Sequence, residues 1–171
     1  MRPIRAIGVS LAIVISFVSF PVANASQRVS TTNANSAIYH FTATTVQGKS
    51  FLGKSLAGKP SVLWFWAPWC TICRGESPDL IALAKAFKGK INIVGVASLG
   101  PVGDMRNFVK ETHTGIFPHI ADPSGLIWSR FQIVSQPSLV LISKSGVPYR
   151  IVGPPPKSDL FSLTKDLIKK A

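Results

Sequence analysis

The chain has 171 residues, a formal net charge of +12 and only two cysteines. This length suits one domain with a substantial core and leaves little room for a second. The basic residues are scattered, with no run longer than Lys169-Lys170. The charge favours anionic neighbours such as envelope polymers, lipid headgroups or acidic proteins. We expect a generally basic surface rather than a dedicated polyanion site, and no nucleic-acid partner.

The first 25 residues have the pattern of a secretory signal peptide. Arg2 and Arg5 give a basic start, an apolar run covers residues 6–20, and Ala23-Asn24-Ala25 supplies the small residues of a cleavage site before Ser26. The run is shorter than the roughly 20 residues that a membrane-spanning helix needs. We therefore expect cleavage and export to the cell envelope or medium, with membrane anchoring as the alternative if the leader stays uncleaved.

Two segments are predicted after the leader. Residues 26–37 are rich in Ser, Thr and Asn and predict a flexible tether, whereas residues 38–171 predict a single domain. Without Arg2 and Arg5, 17 basic residues stand against 7 acidic ones, a net charge of +10.

Hydrophobic patterning predicts an α/β domain. The predicted elements are a hairpin (39–44 and 50–51), a buried strand (61–66), a helix (70–87), a buried strand (91–97), a helix (102–113), a strand (117–121), a short helix (126–131), a hairpin (138–142 and 147–152) and a final helix. The final helix is expected to start at a Ser158 cap and to bury Leu160, Leu163 and Leu167. The helix between the two buried strands predicts that they are parallel, in a three-layer sheet with helices on both faces.

The two cysteines, Cys70 and Cys73, lie three residues apart where a buried strand meets a helix. A disulfide between residues so close in sequence removes little conformational entropy from the unfolded chain. The pair therefore suits disulfide exchange better than structural cross-linking. The free N–H groups and the dipole at the start of the helix favour the thiolate of Cys70, which we expect to be the nucleophile. Cys73, one turn later and more buried, is expected to resolve the mixed disulfide.

A closely spaced cysteine pair can also attach haem, bind zinc, form a structural disulfide or bind a soft metal. Haem attachment requires a histidine directly after the second cysteine, and residue 74 is Arg. A zinc site needs two more ligands, and the widely spaced histidines are expected to be structural: His40, His113 and His119. A structural disulfide and a soft-metal site for Cu(I) remain as alternatives.

The segment Phe65-Trp66-Ala67-Pro68-Trp69-Cys70-x-x-Cys73 resembles the active-site segment of thioredoxin-fold oxidoreductases. Glu76 and Pro78 extend it to the Trp-Cys-x-x-Cys-x-x-Glu-x-Pro pattern of the TlpA/ResA/DsbE-like extracytoplasmic family. Residues 41–45, 58–66 and 136–138 are similar to the secreted DsbE-like proteins of actinobacteria. The resemblance covers nearly the whole of residues 26–171. It implies a thioredoxin-like fold with an N-terminal β-hairpin extension, and thiol–disulfide exchange with no cofactor besides the Cys70–Cys73 disulfide.

The resemblance also implies roles for residues around the cysteines. Pro137 would be cis and face them, leaving the backbone of Gln136 open to pair with a substrate strand; an ordinary proline at the start of a strand is the alternative. Glu76 would line the site and act on thiol protonation, although a solvated helix glutamate is equally compatible with the sequence. The remaining supporting residues are expected to be Trp69, Thr71 and Ile72.

Two departures from ordinary thioredoxins bear on the direction of electron flow. Trp64 stands where those proteins carry a buried Asp, which argues against cytosolic-thioredoxin-style reduction. Thr71 and Ile72 occupy the dipeptide that strongly influences the redox potential, and they match no pattern of known direction.

We therefore expect a monomeric enzyme that oxidises exported protein thiols and exchanges electrons with a membrane redox partner. The oxidising compartment and the association of the actinobacterial relatives with disulfide formation favour this direction. A reductase that is fed by a membrane electron donor and acts in apocytochrome c maturation is the alternative, and a soft-metal-binding protein is a more distant one.

Overall fold

A computed structural model describes residues 37–169. The predicted signal peptide, residues 1–25, lies outside the described residues, as does the predicted tether apart from Ala37.

Seven strands form one mixed sheet in the order β2-β1-β5-β4-β3-β6-β7. Their bounds are β1 Thr42–Thr45, β2 Ser50–Leu52, β3 Ser61–Trp66, β4 Asn92–Ala97, β5 His119–Ala121, β6 Ser138–Ile142 and β7 Pro148–Val152. β3 pairs in parallel with β4, as the sequence predicts, and antiparallel with β6. The β1–β2 hairpin extends the sheet at one edge, where β1 pairs antiparallel with β5.

Within residues 37–169, four α-helices connect and cover the strands. Their bounds are α1 Thr71–Ala86, α2 Val102–Glu111, α3 Leu126–Arg130 and α4 Lys157–Lys169, and short 3-10 helices cover Gly53–Leu56 and Thr114–Ile116. The second 3-10 turn occupies chain just before β5, which is why that strand begins two residues later than predicted. The fold is thioredoxin-like, with helices on both faces of the sheet.

The two faces of β3 belong to two cores, because successive side chains of a strand point in opposite directions. Trp64 and Trp66 lie in the cluster that α1, α2 and α4 cover, and Leu63 and Phe65 lie in the cluster that α3 covers. All six residues of β3 are buried. This strand is therefore the centre of the molecule, and it leads directly into the cysteine segment.

The start of α4 differs from the prediction. The helix begins at Lys157, because the carbonyl of Pro156 already accepts the N–H groups of Asp159 and Leu160, both at 3.0 Å. The Ser158 hydroxyl donates to the Asp159 carboxylate at 3.0 Å instead of capping the helix. Leu160 is buried as predicted, but the predicted Leu163 and Leu167 are only partly buried.

Gly95 of β4 lies against the buried ring of His119, on the same face of the sheet as Trp66. A Cβ added at Gly95 would overlap His119 Nδ1 and would come within 2.8 Å of Trp66 Nε1. The absence of a side chain at residue 95 is what allows the two rings to meet.

We predict that Gly95→Ala lowers the free energy of unfolding by about 2 kcal/mol, since the methyl group must displace a fully buried ring. Gly75→Ala is the matched control, because a Cβ at that exposed helical position meets nothing within 4 Å. The control should raise stability by up to about 1 kcal/mol through helix propensity. Denaturant unfolding measures both, and equal effects of the two substitutions would contradict the packing argument.

Candidate active site

The cysteine pair sits where β3 turns into α1. Cys70 has extended backbone angles, φ −78° and ψ 105°, and is the N-cap of α1. Its N–H donates to the carbonyl of Ala67 at 3.1 Å, which closes the turn after the strand. Cys70 and Cys73 are joined in a disulfide.

The two sulfurs differ in environment. Cys70 Sγ accepts the N–H of Cys73 at 3.0 Å, so it takes the place of an N-cap oxygen. Cys70 retains 6% exposure, whereas Cys73 has none. The sulfur that solvent can reach is thus also the one at the positive end of the helix dipole.

Trp69, Thr71 and Ile72 form an exposed rim around the disulfide. Trp69 is 62% exposed, and its Nε1 donates to the carbonyl of Leu99 at 2.8 Å. Leu99 has a positive φ of 59°, and a side chain at the next residue, Gly100, would collide with Pro68. The loop after β4 therefore holds the Trp69 indole in place while leaving much of its surface accessible.

Pro137 lies at the same end of the sheet as the cysteine segment. The Gln136–Pro137 peptide bond is cis, as the resemblance implies. Ser138 begins β6 and pairs with Phe65, so Pro137 comes level with the last residue of β3. Pro137 is buried, whereas Gln136 is half-buried.

Glu76 is buried, with 6% exposure, rather than solvated. Its Oε2 accepts the Nε1–H of Trp64 at 2.8 Å, and its Oε1 has no hydrogen-bond partner among residues 37–169. Burial raises the pKa of Glu76 to about 7; the Trp64 hydrogen bond opposes this rise, and the charge of Asp79 adds to it. The carboxyl group lies one helical turn after Cys73 and is poised to change protonation near neutral pH.

A second indole of β3 has a different partner. Trp66 Nε1 donates to His119 Nδ1 at 3.2 Å, and His119 Nε2 donates to the Thr114 carbonyl at 3.1 Å. Because a carbonyl can only accept, this network assigns the proton to Nε2. Burial lowers the pKa of His119 to about 4, and the Thr114 hydrogen bond opposes the shift.

The aromatic rings make these two hydrogen bonds parts of one packed unit beneath the disulfide. Trp66 stacks on Phe108 of α2 at a centroid distance of 4.2 Å and on Trp64 at 5.7 Å. His119 is structural, as the sequence predicts, while the other two histidines, His40 and His113, are exposed on other segments.

Arg74 links the cysteine helix to α2. Its guanidinium forms an ion pair with Glu111 at 3.0 Å and lies 4.9 Å from the centre of the Phe108 ring. Trp69 and Arg74 line an open cavity of about 260 Å³ between the two helices. Arg74, the residue that directly follows Cys73, therefore links α1 to α2 beside the cysteine pair.

Within residues 37–169, no group of three or more His, Cys, Asp or Glu side chains is arranged to hold a metal ion. No helix in this range is both long enough and apolar enough to cross a membrane.

Sequence patterns did not identify the hydrogen-bond acceptors of Trp64 and Trp66. Trp64 stood out only as a replacement for an acidic residue, although a buried indole N–H needs an acceptor. Glu76 lies about one turn into the helix that follows the strand of Trp64. The need for a buried acceptor could therefore have suggested the Trp64–Glu76 pair. The Trp66–His119 pair spans 53 positions and leaves no local signal.

We predict that Glu76 makes stability depend on pH. The pKa of Glu76 is about 7 in the folded protein and 4.5 ordinarily, so the folded protein holds the proton more tightly than the unfolded chain. The resulting contribution to the free energy of unfolding is complete below pH 4.5 and is lost as pH rises toward 7. Relative to Glu76→Gln, the wild-type protein should lose up to about 3 kcal/mol of unfolding free energy over this interval.

His119 titrates in the opposite sense, but it is present in both proteins, so the difference between their pH profiles isolates Glu76. The lowered pKa of His119 gives stability that is present above pH 6.5 and lost as pH falls toward 4. Urea unfolding at several pH values is the measurement. Parallel pH profiles of the wild-type and Glu76→Gln proteins would contradict the assignment.

Comparisons with known proteins agree with this geometry. Residues 34–150 match the AhpC/TSA family. The soluble secreted antigen MPT53 of Mycobacterium tuberculosis is 37% identical over 151 residues, covering 85% of this chain and 82% of MPT53. The thiol-disulfide oxidoreductase ResA of Bacillus cereus is 30% identical over 130 residues, 75% of each chain.

Solved structures give the same result. MTB DsbF superposes with a TM-score of 0.74 at 36% identity, over 77% of this chain and 97% of DsbF. A secreted M. tuberculosis disulfide oxidoreductase homologous to E. coli DsbE gives a TM-score of 0.70 at 34% identity, over 79% and 98% of the two chains. With its cysteine pair at the strand–helix junction, the chain belongs to the AhpC/TSA family and, within it, to the TlpA/ResA/DsbE-like thiol–disulfide oxidoreductases.

Proposed function

We propose that this oxidoreductase works outside the cytoplasm as an oxidant and passes the Cys70–Cys73 disulfide to exported proteins. The observation that carries the direction is the hydrogen bond from the Cys73 N–H to Cys70 Sγ at the N-cap of α1. This N–H and the helix dipole stabilise a thiolate on Cys70 in the reduced protein. Stabilising the reduced form of a dithiol makes its disulfide a stronger oxidant.

The reaction proceeds in two exchanges. A substrate thiolate attacks Cys70 Sγ, the Cys70–Cys73 bond breaks, and Cys73 leaves as a thiolate. A second substrate thiolate then attacks the substrate sulfur of the mixed disulfide and releases Cys70. The substrate dithiol becomes a disulfide, and the enzyme holds the two electrons on its cysteines until a membrane redox partner reoxidises them.

Glu76 has the position and the pKa to serve the buried leaving group. Cys73 is fully buried, so its thiolate has no solvent to stabilise it. Glu76 lies one turn later and is also buried, with a pKa of about 7. In its protonated form it delivers a proton to Cys73 on reduction, and as a carboxylate it accepts that proton when the disulfide re-forms.

The exposed rim provides the substrate contacts. Ile72 is exposed beside the accessible sulfur, and Trp69 offers a large ring held by Leu99. On the other side, Gln136 precedes the cis bond to Pro137 and presents backbone groups with which an extended substrate segment pairs. The secreted nature of MPT53 and of the DsbE homologue supports an extracytoplasmic site of action.

The redox potential tests the direction. Equilibrated with glutathione, the pair should have a potential nearer to about −120 mV, typical of strong oxidants, than to about −270 mV, typical of thioredoxin. Quantifying the oxidised fraction by thiol alkylation gives the value. A potential at the thioredoxin end would overturn the oxidant proposal in favour of the reductase that serves apocytochrome c maturation.

The division of labour between the cysteines is tested with single-cysteine variants. Reduced Cys73→Ser, which keeps Cys70, should react with an aromatic disulfide reagent roughly 100-fold faster than Cys70→Ser, because Cys73 is buried and Cys70 lies at the helix N-terminus. Cys70→Ser should also fail to oxidise a reduced secreted protein. Retained oxidation by Cys70→Ser would exclude the mechanism.

A further inference from the structure

The lysines that look scattered in the sequence converge at the end of the sheet that is farthest from Cys70. One row of paired residues marks this end on three neighbouring strands: Asn92 of β4, Ser61 of β3 and Ile142 of β6. Two residues beyond that row, each chain segment carries a lysine: Lys90, Lys59 and Lys144. Neighbouring strands lie about 4.8 Å apart, so these three lysines flank strand ends that lie side by side.

The C-terminus of α1 brings two more lysines to the same place. α1 starts after Cys70 and ends at Ala86, about 22 Å away along its axis. Lys85 lies in its last turn, Lys88 follows, and the Lys90 N–H donates to the Phe87 carbonyl at 2.9 Å. We call the five residues the lysine end: Lys59, Lys85, Lys88, Lys90 and Lys144.

The lysine end is not neutralised by carboxylates of its own segments. Residues 54–61, 85–92 and 142–147 contain no Asp or Glu. The ion pairs seen between residues 37 and 169 join Arg74 to Glu111 and Lys157 to Asp79, at other positions. Asp166 of α4 lines a cavity together with Ser143 and Val147, which flank Lys144, and the same end of α4 also carries Lys165 and Lys169.

The opposite end of the molecule has a different charge pattern. Four of the seven acidic residues lie near the cysteine end of the sheet, on α1, on α2 and after β5: Glu76, Asp104, Glu111 and Asp122. The redox site, with these carboxyl groups, and the lysine end, with none in its own segments, thus lie at opposite ends of β3.

The shape of the lysine end selects among anionic partners. None of the described cavities is lined by any of its five lysines, and four of the five side chains are exposed. Exposed, flexible cations that line none of these cavities match an extended, charged plane better than a polymer strand or a small anion that needs an enclosing groove or pocket.

We propose that the lysine end docks on the anionic headgroups of a lipid bilayer and holds Cys70 on the side facing away from it. The inference rests on the proposed extracytoplasmic location, but not on the direction of electron flow. Each lysine near an anionic surface strengthens binding about fivefold. Docking in this orientation keeps the enzyme at the surface that exported chains cross while its site stays open to them.

Vesicle sedimentation tests the proposal with charge-matched variants of the full chain. Vesicles that mix phosphatidylglycerol with phosphatidylcholine should bind the wild-type protein, with affinity falling as salt rises. The triple variant K85Q/K88Q/K90Q should bind about 100-fold more weakly. The control K49Q/K110Q/K157Q removes three exposed lysines outside the lysine end and should stay within about threefold of the wild type.

Each outcome of the vesicle experiment either supports the docking proposal or overturns it. Equal weakening of vesicle binding by both triple variants would show that only net charge matters and would overturn the proposal. Equally strong binding to vesicles of pure phosphatidylcholine would also overturn it, because the apolar leader would then account for the binding. Binding of a soluble polyphosphate but not of vesicles would overturn it in favour of a polymer partner. Disulfide exchange with a soluble substrate should be unchanged in both variants, so failure of the oxidant proposal and failure of the docking proposal are read separately.

Discussion

The complete burial of β3 is the constraint on which the rest of the structure depends. Six consecutive residues lie between two cores, and two of them are tryptophans whose N–H groups cannot reach solvent. A buried donor left unpaired costs about 1–3 kcal/mol, so each indole must find an acceptor inside the protein. Trp64 finds Glu76 and Trp66 finds His119. These two acceptors fix how α1 and β5 pack against the strand, and hence where the cysteines emerge.

This arrangement places two ionisable groups of opposite type within one apolar cluster. Burial disfavours charge on both, so it raises the pKa of Glu76 to about 7 and lowers that of His119 to about 4. His119 is therefore neutral throughout the physiological range and acts as a fixed hydrogen-bond partner. Glu76, whose second oxygen lacks a partner within the described chain, changes its protonation where disulfide exchange takes place. The same desolvation keeps His119 neutral and gives Glu76 the pKa that the proposed proton transfer to Cys73 requires.

The distribution of surface groups follows from the direction of the parallel strands. β3 and β4 both run toward the cysteine end, so the segments that enter them gather at the opposite end. The residues that enter these strands and leave β6 carry lysines, while the helix that starts at Cys70 also ends among them. Topology alone thus separates the reactive disulfide from the lysine end by about the length of α1.

The sequence by itself determined the order of elements, the parallel pairing of β3 with β4 and the location of the redox pair, because periodic burial and a cysteine pair at a strand–helix junction are local signals. It also determined the family, through the residues around Trp69 to Glu76. It could not decide whether Glu76 was solvated or buried, nor that His119 meets Trp66, nor that separated lysines share one end. Those relations join residues that are distant along the chain, and only the closure of the sheet and the packing of α1 and α2 on it bring them together.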